Sequence, residues 1–206
     1  MKVLLLNGSP NAQGCTYTAL SEVAGALEKN GIETEFVQIG KKPVSGCIAC
    51  RACAKLGKCV FDDGVNEFVE KAKEADGFVF GSPVYYANAS GQVRSFLDRA
   101  FYSGGKYFTG KPGAAVVSCR RAGSTTAWDE LNKYFTINCM PIVASQYWNM
   151  VHGNTPEEVK QDQEGLQIMR TLGNNMAWLL KCIAAGKAQG IDFPQREPFI
   201  RTNFIR

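Results

Sequence analysis

A strand, a polar loop and a helix follow one another at the start of the chain, and this order restricts the fold more than any other feature. Residues Lys2–Leu6 form a short apolar run typical of a strand that is buried on both faces. After a polar stretch, apolar residues return at the spacing of one helix face, at Leu20, Val23, Ala24 and Leu27. Buried strands of this type occur in α/β proteins, where helices cover both faces of a parallel sheet.

The same alternation continues along the chain. Further strands are predicted at residues 33–39, 77–81 and 113–118, with a last strand beginning at 141–144. A capping box at Thr155–Glu158 predicts the start of a long final helix, whose inward residues include Leu166 and Ile183. We therefore predict an α/β fold, a doubly wound five-stranded parallel sheet that forms one domain over residues 1–206. Residues 188–206 are polar and contain prolines, which predicts an extended C-terminal tail.

The loop between the first strand and the first helix, Asn7–Tyr17, has the composition of a phosphate site. A helix amino end offers free N–H groups and a partial positive charge, and this loop adds glycines and side-chain donors. Its spacing matches neither a P-loop nor a dinucleotide fingerprint, whereas a hydroxyl-rich loop without lysine suits a phosphate monoester such as that of FMN. The alternative is a solvated connection without a ligand. The candidate phosphate-binding residues are Ser9, Asn11, Gly14, Cys15, Thr16 and Tyr17.

Two further loops follow the third and fourth predicted strands, and we expect them at the same edge of the sheet as the first loop. The Ser82–Asn88 loop carries two tyrosines and an amide, which can border a flavin ring. The Ser118–Thr125 loop adds Arg120 and Arg121, which can stabilise negative charge on a reduced ring or bind an acidic substrate or the phosphates of a nicotinamide cofactor. Alternatively, one tyrosine belongs to the core or to an interface, and the arginines are solvated. The candidate ring-binding residues are Pro83, Val84, Tyr85, Tyr86, Asn88, Ser118 and Arg120.

Residues 40–63 form an irregular stretch that carries four cysteines, Cys47, Cys50, Cys53 and Cys59. A long stretch without helical or strand periodicity inside a compact domain needs a functional reason. Thiolates at intervals of three residues can surround a small inorganic cluster, as in ferredoxin-type runs, with a fourth ligand slightly further along. We interpret the four cysteines as ligands of a four-iron–four-sulfur cluster. Free or partly oxidised thiols and a zinc site are the alternatives that remain open.

Composition limits the partners and the compartment. The formal net charge is +4 and the basic residues are scattered, so nucleic-acid binding is not expected. No apolar run approaches the length of a membrane span, and the first residues do not form a signal-peptide pattern. We therefore expect a cytoplasmic protein without membrane association. In that compartment, eight cysteines favour metal or redox chemistry over disulfides.

The combination of motifs resembles the flavodoxin-like NAD(P)H-dependent FMN reductases and, within them, the iron–sulfur flavoproteins. Residues 7–10 with 14–16 look like the phosphate loop of that family, residues 82–86 look like its flavin-ring loop, and residues 46–63 look like its compact cluster motif. The resemblance implies the strand order 2-1-3-4-5, with the cysteine-rich stretch inserted after strand 2. It also implies a homodimer or a homotetramer with the flavin near a subunit interface.

The activity that this resemblance implies is that of an FMN-dependent oxidoreductase. Such a protein passes electrons from NADH or NADPH to an acceptor through bound FMN. Because FMN carries the chemistry, no side chain is assigned a catalytic role. The alternative is an electron relay, in which a cluster and FMN connect a ferredoxin-like donor to the acceptor.

Overall fold

A parallel sheet forms the centre of the protein in a computed structural model, which describes residues 1–198, 200, 202 and 204. The strands are β1 (Lys2–Asn7), β2 (Glu33–Gln38), β3 (Gly77–Tyr85), β4 (Asn88–Ala89), β5 (Gly113–Cys119) and β6 (Met150–His152). The main sheet has the order β2-β1-β3-β5-β6 with parallel pairing throughout, and β4 pairs antiparallel with the end of β3. The predicted α/β fold and strand order are confirmed, with the short strand β4 as an addition.

Helices cover both faces of the sheet. They are α1 (Cys15–Lys29), α2 (Cys53–Leu56), α3 (Val65–Glu74), α4 (Gly91–Gly104), α5 (Ser124–Ile137), α6 (Pro156–Val159) and α7 (Gln163–Ala188). Successive strand residues point to opposite faces. Val3 and Leu5 therefore pack with α1 and α7, whereas Leu4 and Leu6 pack with α3, α4 and α5. None of the helices in the described residues combines the length and the hydropathy that a membrane span requires.

The last strand lies later in the chain than the sequence predicted. Ile142 forms only an isolated parallel bridge with Gly113, and regular pairing with β5 resumes at β6. Between them, the Ser145 hydroxyl donates to the Tyr147 carbonyl and accepts the Tyr147 N–H. Local side-chain bonds of this kind compete with strand pairing. The predicted start of the strand at 141–144 is therefore wrong, because a turn interrupts the strand after its first bridge.

The predicted final helix is divided into two helices. Thr155 caps only the single turn α6, where its hydroxyl accepts the Glu158 N–H at 3.3 Å. Asp162 then accepts the Gly165 N–H at 2.9 Å and caps α7. The predicted Thr155 cap with proline at the first helical position is confirmed, but the Glu158 side chain accepts the Asn154 N–H and not the Thr155 N–H that a capping box requires. The long helix begins at Gln163, because a second cap follows the first.

The end of α7 extends beyond the core. Leu180 lies near Gly77, the first residue of β3, so later residues of α7 pass the amino edge of the sheet. Ile183, predicted to face inward, is therefore exposed. The described residues after Ala188 form no helix or strand. The predicted tail also includes residues 199, 201, 203, 205 and 206, which lie outside the described residues.

Candidate functional site

Two amide side chains shape the loop that follows β1. The buried Asn7 side chain donates to the Gln38 side-chain oxygen at 2.6 Å and to the Ala12 carbonyl at 3.3 Å. It also accepts the Ser9 N–H at 3.1 Å, while Gln38 donates to the Ser9 carbonyl at 2.6 Å. These bonds fix the loop from its inner side. The sequence prediction missed Gln38, because its place beside Asn7 follows from the register of β1 and β2.

Gly8 allows this loop to approach β3 closely. Its N–H donates to the Gly81 carbonyl at 2.8 Å, and its own carbonyl accepts the Ser90 hydroxyl at 3.0 Å. A Cβ on Gly8 would lie 2.7 Å from the Gly81 oxygen and 2.8 Å from the Val93 side chain. A larger residue would therefore separate the loop from β3 and from the start of α4.

The amino end of α1 opens towards the same loop. Gly14 is the N-cap residue and provides no side-chain cap, and the first turn of the helix contains no acidic residue. The N–H groups of this turn and the helix dipole therefore favour an anion. Ser9 is buried beside them, and its hydroxyl accepts the Asn11 N–H at 3.1 Å. This arrangement is able to hold a phosphate.

Thr16 and Ser118 connect the first turn of α1 to the end of β5. Their hydroxyl oxygens are 2.8 Å apart, and both residues are buried. Next to this pair, the Cys15 thiol lies 3.8 Å from the Gly153 carbonyl, and burial raises the pKa of the thiol. The Cys15 thiol therefore stays protonated at neutral pH, and its backbone N–H is the group that it can offer to an anion.

The predicted loop after β3 is a tight hairpin. Tyr85 pairs with Asn88, which leaves Tyr86 and Ala87 as a two-residue turn. Both have positive φ, 50° and 62°, as a type I′ turn requires, although asparagine and glycine are the usual residues there. Such conformations are strained for other residues, and strain of this kind concentrates at ligand sites. The Tyr86 side chain is fully exposed and does not belong to the core of the chain.

The loop after β5 packs against this hairpin. Gly123 has a φ of 88°, and a Cβ there would lie 2.6 Å from the Ala87 Cα and 3.2 Å from the Val84 side chain. Both the conformation and the close contact require glycine. The preceding Arg120 and Arg121 are exposed. The hairpin and the β5 loop thus form one continuous rim.

Most predicted ligand residues lie at one edge of the sheet, near the carboxyl ends of β1, β3 and β5, which is where open α/β sheets bind ligands. Tyr17 is the exception, because its ring packs against Phe36 of β2 with the centroids 5.0 Å apart. The residues at this edge are Ser9, Asn11, Gly14, Cys15, Thr16, Pro83, Val84, Tyr85, Tyr86, Asn88, Ser118 and Arg120. Their individual roles stay predictions.

Residues 40–63 are here called the cysteine segment. Its four cysteines line one cavity of about 130 Å³. Its walls include Cys47, Cys50, Cys53, Cys59 and Arg99. Within the described ranges, no three Cys, His, Asp or Glu side chains converge on one point that could hold a metal ion. Four cysteines that line one cavity are the ligand set that the predicted four-iron–four-sulfur cluster requires.

The backbone of the cysteine segment supports this interpretation. Ala49 and Arg51, on either side of Cys50, have φ values of 53° and 56°. Arg51 is followed by Ala52 in the right-handed region, and such a pair turns its N–H groups towards one point, as found at anion and iron–sulfur sites. Asn66 of α3 accepts the Cys59 N–H at 2.8 Å and donates to the Cys59 carbonyl at 3.0 Å. The segment is therefore held in a defined shape by residues that the sequence prediction did not include.

The fold defines a flavodoxin-like protein, and the predicted ligand residues gather at the carboxyl edge of its sheet. Residues 1–155 match the family model described as NADPH-dependent FMN reductase. The chain belongs to this flavodoxin-like FMN reductase and iron–sulfur flavoprotein family, and it is an FMN-dependent oxidoreductase.

Its relatives include two iron–sulfur flavoproteins of Methanocaldococcus jannaschii. One is 35% identical over 191 residues, which are 89% of this chain and 99% of that protein. The other is 29% identical over 196 residues, which are 88% of this chain and 98% of that protein. Among solved structures, RosB with a bound riboflavin-phosphate intermediate superposes with a TM-score of 0.70 at 16% identity, covering 100% of this chain and 92% of RosB. An archaeal flavodoxin superposes with a TM-score of 0.61 at 15% identity, covering 88% and 99%. These two structures support the fold.

Proposed function

We propose that FMN binds with its phosphate at the amino end of α1 and its ring beside the hairpin that joins Tyr85 to Asn88. The observation that carries this proposal is the uncapped helix end, which faces a loop rich in N–H and hydroxyl groups. When bound, FMN supplies hydride and single-electron chemistry. Thr16 and Ser118 hold the two loops together, and Arg120 places a positive charge at the rim.

We further propose that Cys47, Cys50, Cys53 and Cys59 hold a four-iron–four-sulfur cluster. The shared cavity supports this assignment, and the relatives from Methanocaldococcus jannaschii are named as iron–sulfur flavoproteins. Helix α4 links the two sites within one chain. Its N-cap residue, Ser90, donates a hydrogen bond to the Gly8 carbonyl of the phosphate loop. Arg99, in the wall of the cysteine cavity, follows nine positions later, roughly 14 Å along the helix axis at 1.5 Å per residue.

The reductant that we propose is NADH or NADPH, in keeping with the description of the family. In this scheme the chain binds and orients FMN, and the electrons leave to an acceptor. A ferredoxin-like donor is the second candidate. The observation that favours it is the exposure of Cys47 and Cys50, which would let a protein donor approach the cysteine segment.

Anaerobic stopped-flow measurement of flavin absorbance distinguishes the two donors. If a nicotinamide is the donor, NADPH or NADH bleaches the flavin in the wild type and equally in the Cys50→Ser variant. If the donor is ferredoxin-like, reduced ferredoxin bleaches the flavin in the wild type and fails in the variant. If neither a reduced nicotinamide nor reduced ferredoxin bleaches the flavin of the wild type, both proposed donors are contradicted.

We also propose that residues 1–206 form one domain, and that the protein is a cytoplasmic homodimer or homotetramer. Tyr102, Tyr147 and Trp148 are exposed, and the last two rings lie 4.8 Å apart. Exposed aromatic residues that lie together are typical of protein interfaces. All eight cysteines are free, which fits a reducing compartment.

A further inference from the structure

One buried arginine of α4, Arg99, bonds to residues near both ends of the cysteine segment. Arg99 is 1% exposed. A guanidinium carries five N–H donors, and each of them meets an acceptor here. The Nε donates to the Cys59 Sγ at 3.2 Å, and the other four N–H groups donate to the two carboxylate oxygens of Asp63 and to the carbonyls of Ser45 and Phe61. A single side chain thus joins the residues before Cys47 to the last residue of the segment.

The stability of the fold does not by itself explain this arrangement. Asp63 neutralises Arg99, and the guanidinium lowers the pKa of the Asp63 carboxyl. A buried ion pair is commonly no more stabilising than apolar residues of similar volume. What distinguishes this pair is the contact of its guanidinium with a cysteine sulfur inside the cavity wall.

We propose that Arg99 is a positioning residue for the metal centre, which fixes Cys59 and sets the reduction potential through its N–H donor and its charge. This inference rests on the cluster proposed above. Hydrogen bonds to ligand sulfurs and nearby charge set the potentials of iron–sulfur centres. Because reduction adds negative charge, the Arg99 donor raises the potential, and the Asp63 carboxylate lowers it.

Two substitutions with opposite expected effects test the inference. Arg99→Gln removes the charge and the Nε–H, while Asn66 still holds the Cys59 backbone. We expect the equilibrium constant for reduction of the centre to fall about tenfold, which is 59 mV for a one-electron couple. Asp63→Asn leaves Arg99 with an uncompensated charge, so we expect a shift of the opposite sign. Arg94→Gln is the matched control, since Arg94 pairs with Glu130 on the exposed side of the same helix.

The readouts are iron and FMN per chain and the midpoint potential, measured on anaerobically reconstituted protein. Opposite shifts in Arg99→Gln and Asp63→Asn, with none in Arg94→Gln, are the result expected. A loaded wild type whose potential is unchanged in both variants, or shifts in one direction in both, overturns the inference alone. A wild type that takes up FMN but no iron overturns the proposed cluster and this inference with it. If Arg99→Gln does not fold, the midpoint potentials of Asp63→Asn and Arg99→Lys test the inference in its place. Arg99→Lys keeps the positive charge but loses the forked set of guanidinium donors.

Discussion

Single residues determine how closely the loops of the site approach one another. A Cβ on Gly81 would lie 2.8 Å from the Leu20 side chain and 2.9 Å from that of Thr16. The corresponding contacts of Gly8 and Gly123 are shorter still. Because these glycines lack a side chain, α1, β3 and the β5 loop approach one another closely enough to form the hydrogen bonds between them. Their contribution to the site is therefore one of packing, with no direct chemical role.

The position of Gly123 gives a prediction about stability. Gly123→Ala places a Cβ 2.6 Å from the Ala87 backbone at a φ of 88°, and we expect it to reduce the free energy of unfolding by about 1–3 kcal/mol. Gly25→Ala is the control, because among the described residues no neighbouring element comes within 4 Å of a Cβ there, and the helix interior gains about 0.5–1 kcal/mol. Urea denaturation measures both. Equal effects of the two substitutions would contradict the packing that we describe.

The sequence predicted several site residues but not their partners. Thr16 and Ser118 were identified separately, whereas the structure joins their hydroxyls across 102 residues. Gln38 and Arg99 were not identified at all. Residue type and local spacing reveal donors near a helix start, but a contact between distant residues depends on strand register and helix packing, which the sequence pattern does not contain.

Among the elements, the cysteine segment gives the most specific prediction. We expect Cys50→Ser to reduce iron from about four per chain to nearly none, because the cluster loses a ligand. FMN content should not change, since the phosphate site lies on other elements. The measurement is a joint iron and flavin assay on oxygen-free protein.

Cys182→Ser is the matched control for that assay. Cys182 is an exposed cysteine of α7, outside the cysteine segment. It should keep both FMN and iron. Iron that remains in Cys50→Ser, or iron lost equally from Cys182→Ser, would show that Cys50 is not a specific ligand.

The ion pair that closes the segment predicts a pH dependence. Hydrogen bonds from Arg99 lower the pKa of Asp63 below its unfolded value of about 3.9. The stability that this carboxylate contributes is therefore present above that value and is lost as the pH falls through the lower folded pKa.

We accordingly expect Asp63→Asn to be less stable than the wild type by about 3 kcal/mol near pH 6, at the low end for a buried pair because Asp63 is 24% exposed. The difference should narrow as the pH is lowered below about 4. Chemical denaturation at several pH values measures it. A difference that stays constant down to about pH 2 would show that the pair does not act as described.

The elements themselves were predicted unequally well. Buried strands such as β1 and β5 follow from continuous apolar runs, and α1 follows from its apolar face. At Tyr86 and Ala87 the sequence predicts only a loop, because neither residue is typical of a tight turn, whereas the structure has a hairpin. The interruption before β6 and the second cap at Asp162 depend on local side-chain bonds that compete with regular structure.

At the scale of the whole molecule, the topology explains why the ligand residues meet. The predicted strand order places β1 beside β3 and β3 beside β5, so three separate loops share one edge. The strand order and the shared edge of the three loops follow from the alternation of strands and helices together with the family resemblance. The assembly of subunits does not follow from the topology, because it depends on the surface.

The exposed aromatic residues predict the assembly. We expect a dimer or tetramer by light scattering, and a lower mass for Trp148→Glu, because a charge at an interface core opposes association. Trp178→Glu on α7 is the matched control, since Trp178 is also exposed but lies on a different element. A monomeric wild type would contradict the proposed oligomer, and a mass of Trp148→Glu equal to that of the wild type would exclude Trp148 from the interface.

The account depends most on the phosphate site at the amino end of α1. Its most direct test is to titrate the flavin-free protein with FMN and with riboflavin, which lacks the phosphate, and to follow flavin fluorescence. Two charge-assisted hydrogen bonds at about 1.5–3 kcal/mol each predict that FMN binds at least about a hundredfold more tightly. Equal affinities for the two flavins, or no binding of FMN, would contradict the account.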